Sequence, residues 1–261
     1  MLLKPAGNYA NSGSVPDWTI SNLFASGEQG AWYDPSDLST LWQDVARTIP
    51  VIADGDLVAV MDDKSGNGNH LSQAILAKRP LYKAFGGLHW LEFDGVDDCL
   101  ATVNTPWSGS DEVSSFVAVY KPSDATNQII FEHSADTNTN NGCFHLFSLA
   151  TNQYRHTSKG TLGAWVEHSR PAPATDVITS QSDILSDSIE MRTGGVSRGV
   201  VALDQGGAAY VSAPFFVGMR GGTIYPFGGK IFGLVTRSRL SSSVDIGAAE
   251  NYLATKSGVN L

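Results

Sequence analysis

Four constellations in the chain carry side chains that could hold a ligand or move a proton. The first is "DDKSGNGNHLSQ", residues 62–73, where two acids and a histidine sit among Asn and Gly. Such a stretch allows a phosphate cradle, a metal loop or a tight turn between strands. A Walker-type cradle needs Gly-Lys-Ser/Thr opening a helix, but Lys64 precedes the glycines and the following "HLSQAILAKRP" ends at Pro80. An EF-hand loop closes on a bidentate Glu, and none follows here. The second is "GVSRG", residues 195–199, which has the spacing of a nucleophile elbow around Ser197. An elbow needs a strand before it and a helix after it; "VVALDQGG" reads as another strand, so a hairpin turn with an exposed Ser197 is expected. The third is Glu92 and Asp94 in "EFD", whose spacing puts both carboxylates on one face of a strand, as paired-carboxylate glycoside hydrolysis uses. No second Glu follows on that face, and a structural or solvated role is expected.

The fourth is a scatter of rings near turns with polar neighbours. These are Trp107 in "TPWSGSD", Tyr154 beside Arg155, Trp165, Tyr210, and Tyr225 with Phe227 in "GGTIYPFGG". Sugars stack their C–H faces on flat rings while nearby polar side chains bind hydroxyls. Trp107, Tyr154, Arg155, Trp165 and Tyr225 are therefore the glycan-binding candidates. The competing role for such rings is to fill a core or seal a subunit interface. The six histidines, His70, His89, His133, His145, His156 and His168, show no i, i+2 or i, i+4 pairing and give no local zinc signature.

Positioning these groups falls to short strands. "LVAVM", "LHWLEF", "SFVAVY", "QIIFEH", "CFHLFSL", "GAWVEH", "SIEMR", "GVVAL", "PFFVGM" and "KIFGLVTRS" are rich in β-branched and aromatic residues, with turn formers such as "DGVDD", "TNTNNG" and "RGG" between them. In "CFHLFSL", Cys143, His145 and Phe147 share one face and Phe144, Leu146 and Ser148 the other. No strands alternate with long amphipathic helices, which disfavours a parallel α/β sheet. "DPSDLSTLWQD" offers Ser36 or Asp37 as cap of a single helical turn. One longer helix is predicted over 242–257, with Ser241 to Ser243 as cap candidates, Ile246, Ala249 and Leu253 at helical spacing, and Gly258 as its stop. Residues 1–30, rich in Gly, Ser, Asn and Ala, read as an extended arm, and residues 31–261 as one antiparallel β domain with a C-terminal helix.

The totals agree with a β protein. Of 261 residues, 42% are apolar, enough for a core, and charged residues are only 16% with 27 glycines. A net charge of −9 speaks against nucleic acid and anionic membranes. The opening "MLLKPAGNYANSGS" is neither a signal-peptide core nor a membrane span. Cys99 and Cys143 lie in apolar strand-like sequence and are expected to be buried free thiols rather than a bridge.

Two motifs carry a resemblance. "DKSGNGNH" and, some twenty residues on, "LEFDGVDDCLA" resemble the laminin-G-like branch of the concanavalin A-like jelly-roll superfamily. The matching positions are Asp63, Ser65, Gly66, Asn67, Gly68, Asn69 and His70, then Leu91, Phe93, Asp94, Gly95, Asp97 and Asp98. Cys99 departs from the pattern, where an aromatic residue is usual. "FFVGMRGG…YPFGGKIFGLVTRSRLSS" is similar to the superfamily's closing strands, and "GAWYDPSDLSTLWQD" and "AAENYLATKSGV" are similar to proteins of tailed bacteriophages and prophages. The resemblance spans about residues 30–258 and implies an all-β, two-sheet antiparallel jelly-roll sandwich. It speaks to fold more than task, since one fold hosts many functions.

Under this reading Asp63, Ser65 and Asn67 bond the backbone of a tight turn, Gly66 and Gly68 supply positive φ, and Asp94 with Gly95 does the same at the next strand. The alternative is one structural Ca²⁺ between the loops, on Asp63, Asn67, Asp94, Asp97 or Asp98; no other cofactor is expected. The resemblance implies a non-enzymatic component of a tailed-phage virion, made in the host cytoplasm and exposed on the particle. The arm would join it to other virion proteins, as a homo-oligomer taken to be a trimer, with outer loops free to touch host-surface polysaccharide. The alternatives are a free carbohydrate-binding module or lectin, and after it a polysaccharide-degrading enzyme.

Overall fold

The period-two runs become strands because β-branched and aromatic side chains pack well on a pleated surface. A computed structural model describes residues 18–261, apart from 104, 106, 108 and 135. Its strands are β1 (Gly30–Tyr33), β2 (Leu41–Trp42), β3 (Val60–Met61), β4 (Leu71–Ser72), β5 (Leu81–Phe85), β6 (Leu88–Asp94), β7 (Leu100–Ala101), β8 (Glu112–Lys121) and β9 (Gln128–His133). They continue with β10 (Cys143–Leu149), β11 (Gln153–Lys159), β12 (Gly163–Ser169), β13 (Ala174–Asp183), β14 (Ser188–Thr193), β15 (Val196–Ala202), β16 (Phe215–Val217) and β17 (Gly228–Arg237). One sheet runs β15-β14-β13-β8-β17-β6-β5, with β1 added on β17; the other runs β12-β11-β10-β9-β16-β7-β4-β3-β2. The long pairings, such as β8 with β13 and β10 with β11, are antiparallel. The chain is the two-sheet antiparallel sandwich of jelly-roll type that the resemblance implies, built from the antiparallel strands that alternation predicts.

Between the sheets lies one apolar core, to which Val117, Val119, Phe131, Phe144, Leu146, Ile178 and Leu234 belong. Phe144 sits among rings: Trp107 at 5.2 Å, His133 at 5.0 Å and Tyr210 at 5.4 Å between centroids. Such pairs add to the area term of burial. Cys99 and Cys143 are both buried and free, and burial pushes each thiol up to about 12.

The outer face of the first sheet is covered over its central strands. Helix α1 (Ser243–Ser257) starts at Ser242, whose side chain accepts the Asp245 N–H, and stops at left-handed Gly258. Its Ile246, Ala249 and Leu253 pack with Phe116, Ala118, Val177, Phe232 and Val235 of the sheet. Ile20 and Leu23, in a short 3₁₀ turn at Ile20–Phe24, join the same cluster, and the Trp18 indole N–H donates to Asp245 at 3.2 Å. The packed body thus reaches back to residue 18, while residues 1–17 of the expected arm lie outside the described residues. Among the described residues no helix is long and apolar enough to cross a membrane.

Candidate functional site

The "DKSGNGNH" segment is built as a turn. Asp63 accepts the N–H groups of Trp32 (2.9 Å), Ser65 (2.8 Å) and Asn69 (3.0 Å) and the Ser65 hydroxyl (2.8 Å). His70 Nδ1 accepts the Asp63 N–H at 3.0 Å. Asn67 and Asn69 donate to the Gly30 carbonyl at 3.1 and 2.6 Å, and Gly66 and Gly68 take φ of 93° and 74°. Together these bonds lace the loop to β1. Gly30 itself admits no side chain, because an added Cβ would lie 2.0 Å from the Thr236 carbonyl oxygen.

The second loop is a separate cluster. Asp94 accepts the Val96 and Asp97 N–H groups, Asp98 accepts that of Asp94, and Gly95 has φ 76°. Asp94, Asp97 and Asp98 place carboxylate oxygens within 4.8 Å of one another. Burial, then the Asp94 and Asp97 charges, raise the Asp98 carboxyl to about 6. Asp63 is not in this group, so the five residues considered for one shared Ca²⁺ divide between two loops.

The other reactive-looking groups have structural partners. Ser197 lies on exposed β15 rather than at a strand–helix elbow, and donates to Glu190 at 2.8 Å. Glu92 takes the Trp90 indole N–H at 3.1 Å, and Asp94 is committed to its turn. His156 is buried between the His145 carbonyl and the Ser182 hydroxyl. Burial lowers His156 to about 4 and His133 to about 3, so both are neutral core groups.

Among the ring candidates, burial separates those that can meet a ligand from those that cannot. Trp107 is 1% exposed and Tyr154 is not exposed at all; both belong to the inter-sheet core. Trp107 stacks on His133 and Phe144, and the Lys121 ammonium sits 4.6 Å over the Tyr154 ring. Neither ring can stack on a sugar, which corrects the expectation for these two. Arg155, Trp165 and Tyr225, by contrast, line one cavity of about 520 Å³.

That cavity opens on the outer face of the second sheet. Phe144, Leu146, Tyr154, Ala164 and Val166 face the core, so the alternate residues of β10, β11 and β12 face outward. Cross-strand register sets them in rows: His145, Thr157 and Trp165 in one, Phe147, Arg155 and Glu167 in the next, and Lys159 opposite Gly163 beyond. Trp165 is 47% exposed, and the Arg155 guanidinium lies 5.5 Å over its ring while donating to Glu167 at 2.6 Å. Opposite Lys159, a Cβ on Gly163 would meet nothing within 4 Å, so the cavity is open on that flank.

Two loops wall the cavity, and one buried ion pair fastens both. Glu132 accepts the Arg220 Nε–H at 2.7 Å, the Thr137 N–H at 2.8 Å and the Ser134 hydroxyl at 3.1 Å. Burial raises the Glu132 carboxyl, and Arg220 works against that rise. Arg220 also donates to the Thr137 hydroxyl at 2.8 Å, and its guanidinium stacks on Phe147 (5.0 Å) and Tyr225 (5.3 Å). Tyr225 holds a left-handed φ of 57°, a conformation that an aromatic residue keeps only when its surroundings impose it. His145, 4% exposed, packs edge-on against Phe147, and its Nδ1 has no protein partner. Burial, then the Arg220, His156 and Arg155 charges, hold its imidazole neutral. The lining thus combines exposed ring surface with hydrogen-bond donors and carries no carboxylate.

Sequence reasoning missed Phe147, Lys159 and Arg220 as site residues. Lys159 shares a face with Arg155 and Thr157 by simple alternation in "QYRHTSK", so that signal was available. Arg220 gave none, because its loop reaches the cavity only through sheet order.

Fold and cavity together define a jelly-roll β-sandwich with a concavity on the outer face of its second sheet. Solved neurotoxin structures share the fold. The binding domain of botulinum neurotoxin serotype D superposes with a TM-score of 0.57 at 9% identity, over 74% of this chain and 48% of that one. A structure of botulinum neurotoxin type C, whose uptake into cells depends on interaction with two ganglioside molecules, gives 0.55 at 11% identity, over 74% and 48%. The CBM40 domain of the Ruminococcus gnavus IT-sialidase, bound to α2,3-sialyllactose, gives 0.44 at 15% identity, over 54% and 83%. The chain spans about half the length of the two neurotoxin structures. No family model matches the chain, and no curated protein sequence matches it.

Proposed function

We propose that the chain is a carbohydrate-binding domain whose sugar site is the cavity over β10, β11 and β12. The observation that carries this reading is Trp165: a large ring half open to solvent, flanked by Arg155, Thr157 and Lys159 inside one concavity. Stacking on a sugar's C–H face with polar side chains at the rim is how such sites hold glycans. The ganglioside interaction of the type C neurotoxin, on a similar sandwich, supports it. A glycan array probed with the wild-type chain and Trp165→Ala tests it. Sugar-specific binding lost in the variant, with an unchanged melting curve, is the expected result. Wild-type protein that binds no glycan, or binding that survives both Trp165→Ala and Tyr225→Ala, overturns it.

The setting we propose is the surface of a tailed-phage particle, as a non-enzymatic homo-oligomeric module held by its N-terminal segment to other virion proteins. It rests on the resemblance of "GAWYDPSDLSTLWQD" and "AAENYLATKSGV" to phage and prophage proteins. Because Ile20 and Leu23 are core residues, the truncation that tests attachment removes residues 1–17 only. It should leave a folded domain that no longer joins particles; normal incorporation rules the attachment out. Release of reducing ends from a bound polysaccharide, lost in Glu92→Gln, would replace binding with catalysis.

A further inference from the structure

The chain has 26 acids against 17 basic residues, yet every charged side chain on the cavity lining is a cation: Arg155, Lys159 and Arg220. These three are not equivalent. Arg220 is spent on Glu132 and Thr137 and holds the walls together. Arg155 is partly spent on Glu167 and lies over one side of Trp165, which stays 47% exposed. Lys159 forms no ion pair among the described residues. Its ammonium donates to the Thr137 carbonyl at 2.9 Å and the Asn138 carbonyl at 3.3 Å, which leaves one of three N–H donors unused.

Acceptors are present too, since the neutral His145 imidazole keeps one acceptor nitrogen and the Thr157 and Tyr225 hydroxyls lie on the lining, but none of them carries charge. The Asn127 side-chain oxygen already takes the Ala150 N–H at 2.9 Å, and the Thr137 hydroxyl takes Arg220. A neutral sugar both donates and accepts and could use these groups, but it would leave the Lys159 ammonium without a counter-charge. A carboxylate only accepts, and suits a wall of donors. Lys159 lies two residues from Thr157, whose cross-strand partner is Trp165, so the backbone positions of cation and ring are offset by about 7 Å along the strand. The open flank at Gly163 leaves room between them.

Resting on the carbohydrate reading, we infer that the sugar this site takes is acidic: a carboxylate-bearing glycan unit that stacks on Trp165 and places its carboxylate on Lys159. The test is an array displaying uronate-, sialate- and sulfate-bearing oligosaccharides beside neutral ones. Binding should be confined to carboxylated members, and carbodiimide–borohydride reduction of their carboxylates to alcohols should abolish it. Lys159→Met should weaken that binding about tenfold, while Lys159→Arg keeps most of it. Should Lys159→Met fold poorly, wild-type affinity still decides, because it must fall as salt rises past the range where charges are screened. Equal, Trp165-dependent binding to neutral glycans overturns the acidic class and leaves the sugar site standing. Hits confined to sulfate esters overturn the carboxylate, and no glycan binding at all overturns the sugar site itself.

Discussion

The two sheets treat their outer faces in opposite ways. On the first, Phe116, Ala118, Val177, Phe232 and Val235 turn outward and are sealed by α1 and the Ile20–Phe24 turn. On the second, the outward residues of β10 to β12 include Arg155, Thr157, Lys159 and Trp165, and the described loops wall them without a helix sealing them over. Where the outer face is apolar it has been given a helix. Where it mixes one large ring with cations, it is left open at the price of an exposed tryptophan. Two carboxylates of the covered side are paired: Glu250 accepts from Thr179 and Arg192, and Asp34 accepts from Tyr252 and Lys256. The open face keeps a lysine with a spare donor. Stability resides in the first arrangement, and the recognition proposed above would reside in the second.

This division can be broken from either side. Leu253→Ala, a fully buried truncation beneath α1, should cost about 2–5 kcal/mol in chemical denaturation and leave glycan binding intact below the melt. Loss of binding without loss of stability would erase the distinction. Next in size is Asp34. Burial pushes its carboxyl up, but bonds from Ser36 and Tyr252 and the charges of Lys256 and Lys64 prevail and hold it at about 2. With an unfolded value of about 3.9, its contribution is complete above about pH 4 and is lost as pH falls toward 2, roughly 2–3 kcal/mol in all. Asp34→Asn should therefore lower stability at neutral pH and flatten the acid limb of the stability curve; parallel curves for the two proteins would remove Asp34 from that role. Trp165→Ala should change stability by no more than about 0.5 kcal/mol while cutting glycan affinity about tenfold or more. Gly163→Phe, which fills the open flank without strain, should block binding with equally little effect on melting; unimpaired binding would move the site elsewhere. The smallest effect is expected from calcium: melting curves in Ca²⁺ and in EDTA should superimpose. A rise of several degrees with Ca²⁺, lost in Asp97→Asn, would put an ion at Asp94, Asp97 and Asp98.

Much of the scaffold was legible because local chemistry dictated it. Period two in "CFHLFSL" and "QYRHTSK" assigns residues to faces, and Ser242 and Gly258 bound the helix by their own geometry. What alternation does not say is which face is the core. For β10 both faces are buried, since the walls fastened by Glu132 and Arg220 rise over the outer one. Ring type is equally silent on depth: Trp107 and Trp165 both lie near turns, yet one is sealed in the core and the other half open. Arg220 was beyond reach for a further reason. It stands 88 residues from Glu132, and only sheet order brings the two together.

One feature of the covered face governs how the molecule meets its surroundings. Trp18 is hydrogen-bonded to the first turn of α1, and the far end of that helix runs on to Val259, packed in the same cluster, and Leu261, whose side chain lies 3.5 Å from where a Cβ on Gly195 would be. Both ends of the described chain thus leave from the side opposite the cavity. A partner seated directly at Trp18 or at Leu261 would therefore leave the outer face of the second sheet uncovered, so the placement of a single helix keeps that face apart from both ends of the described chain.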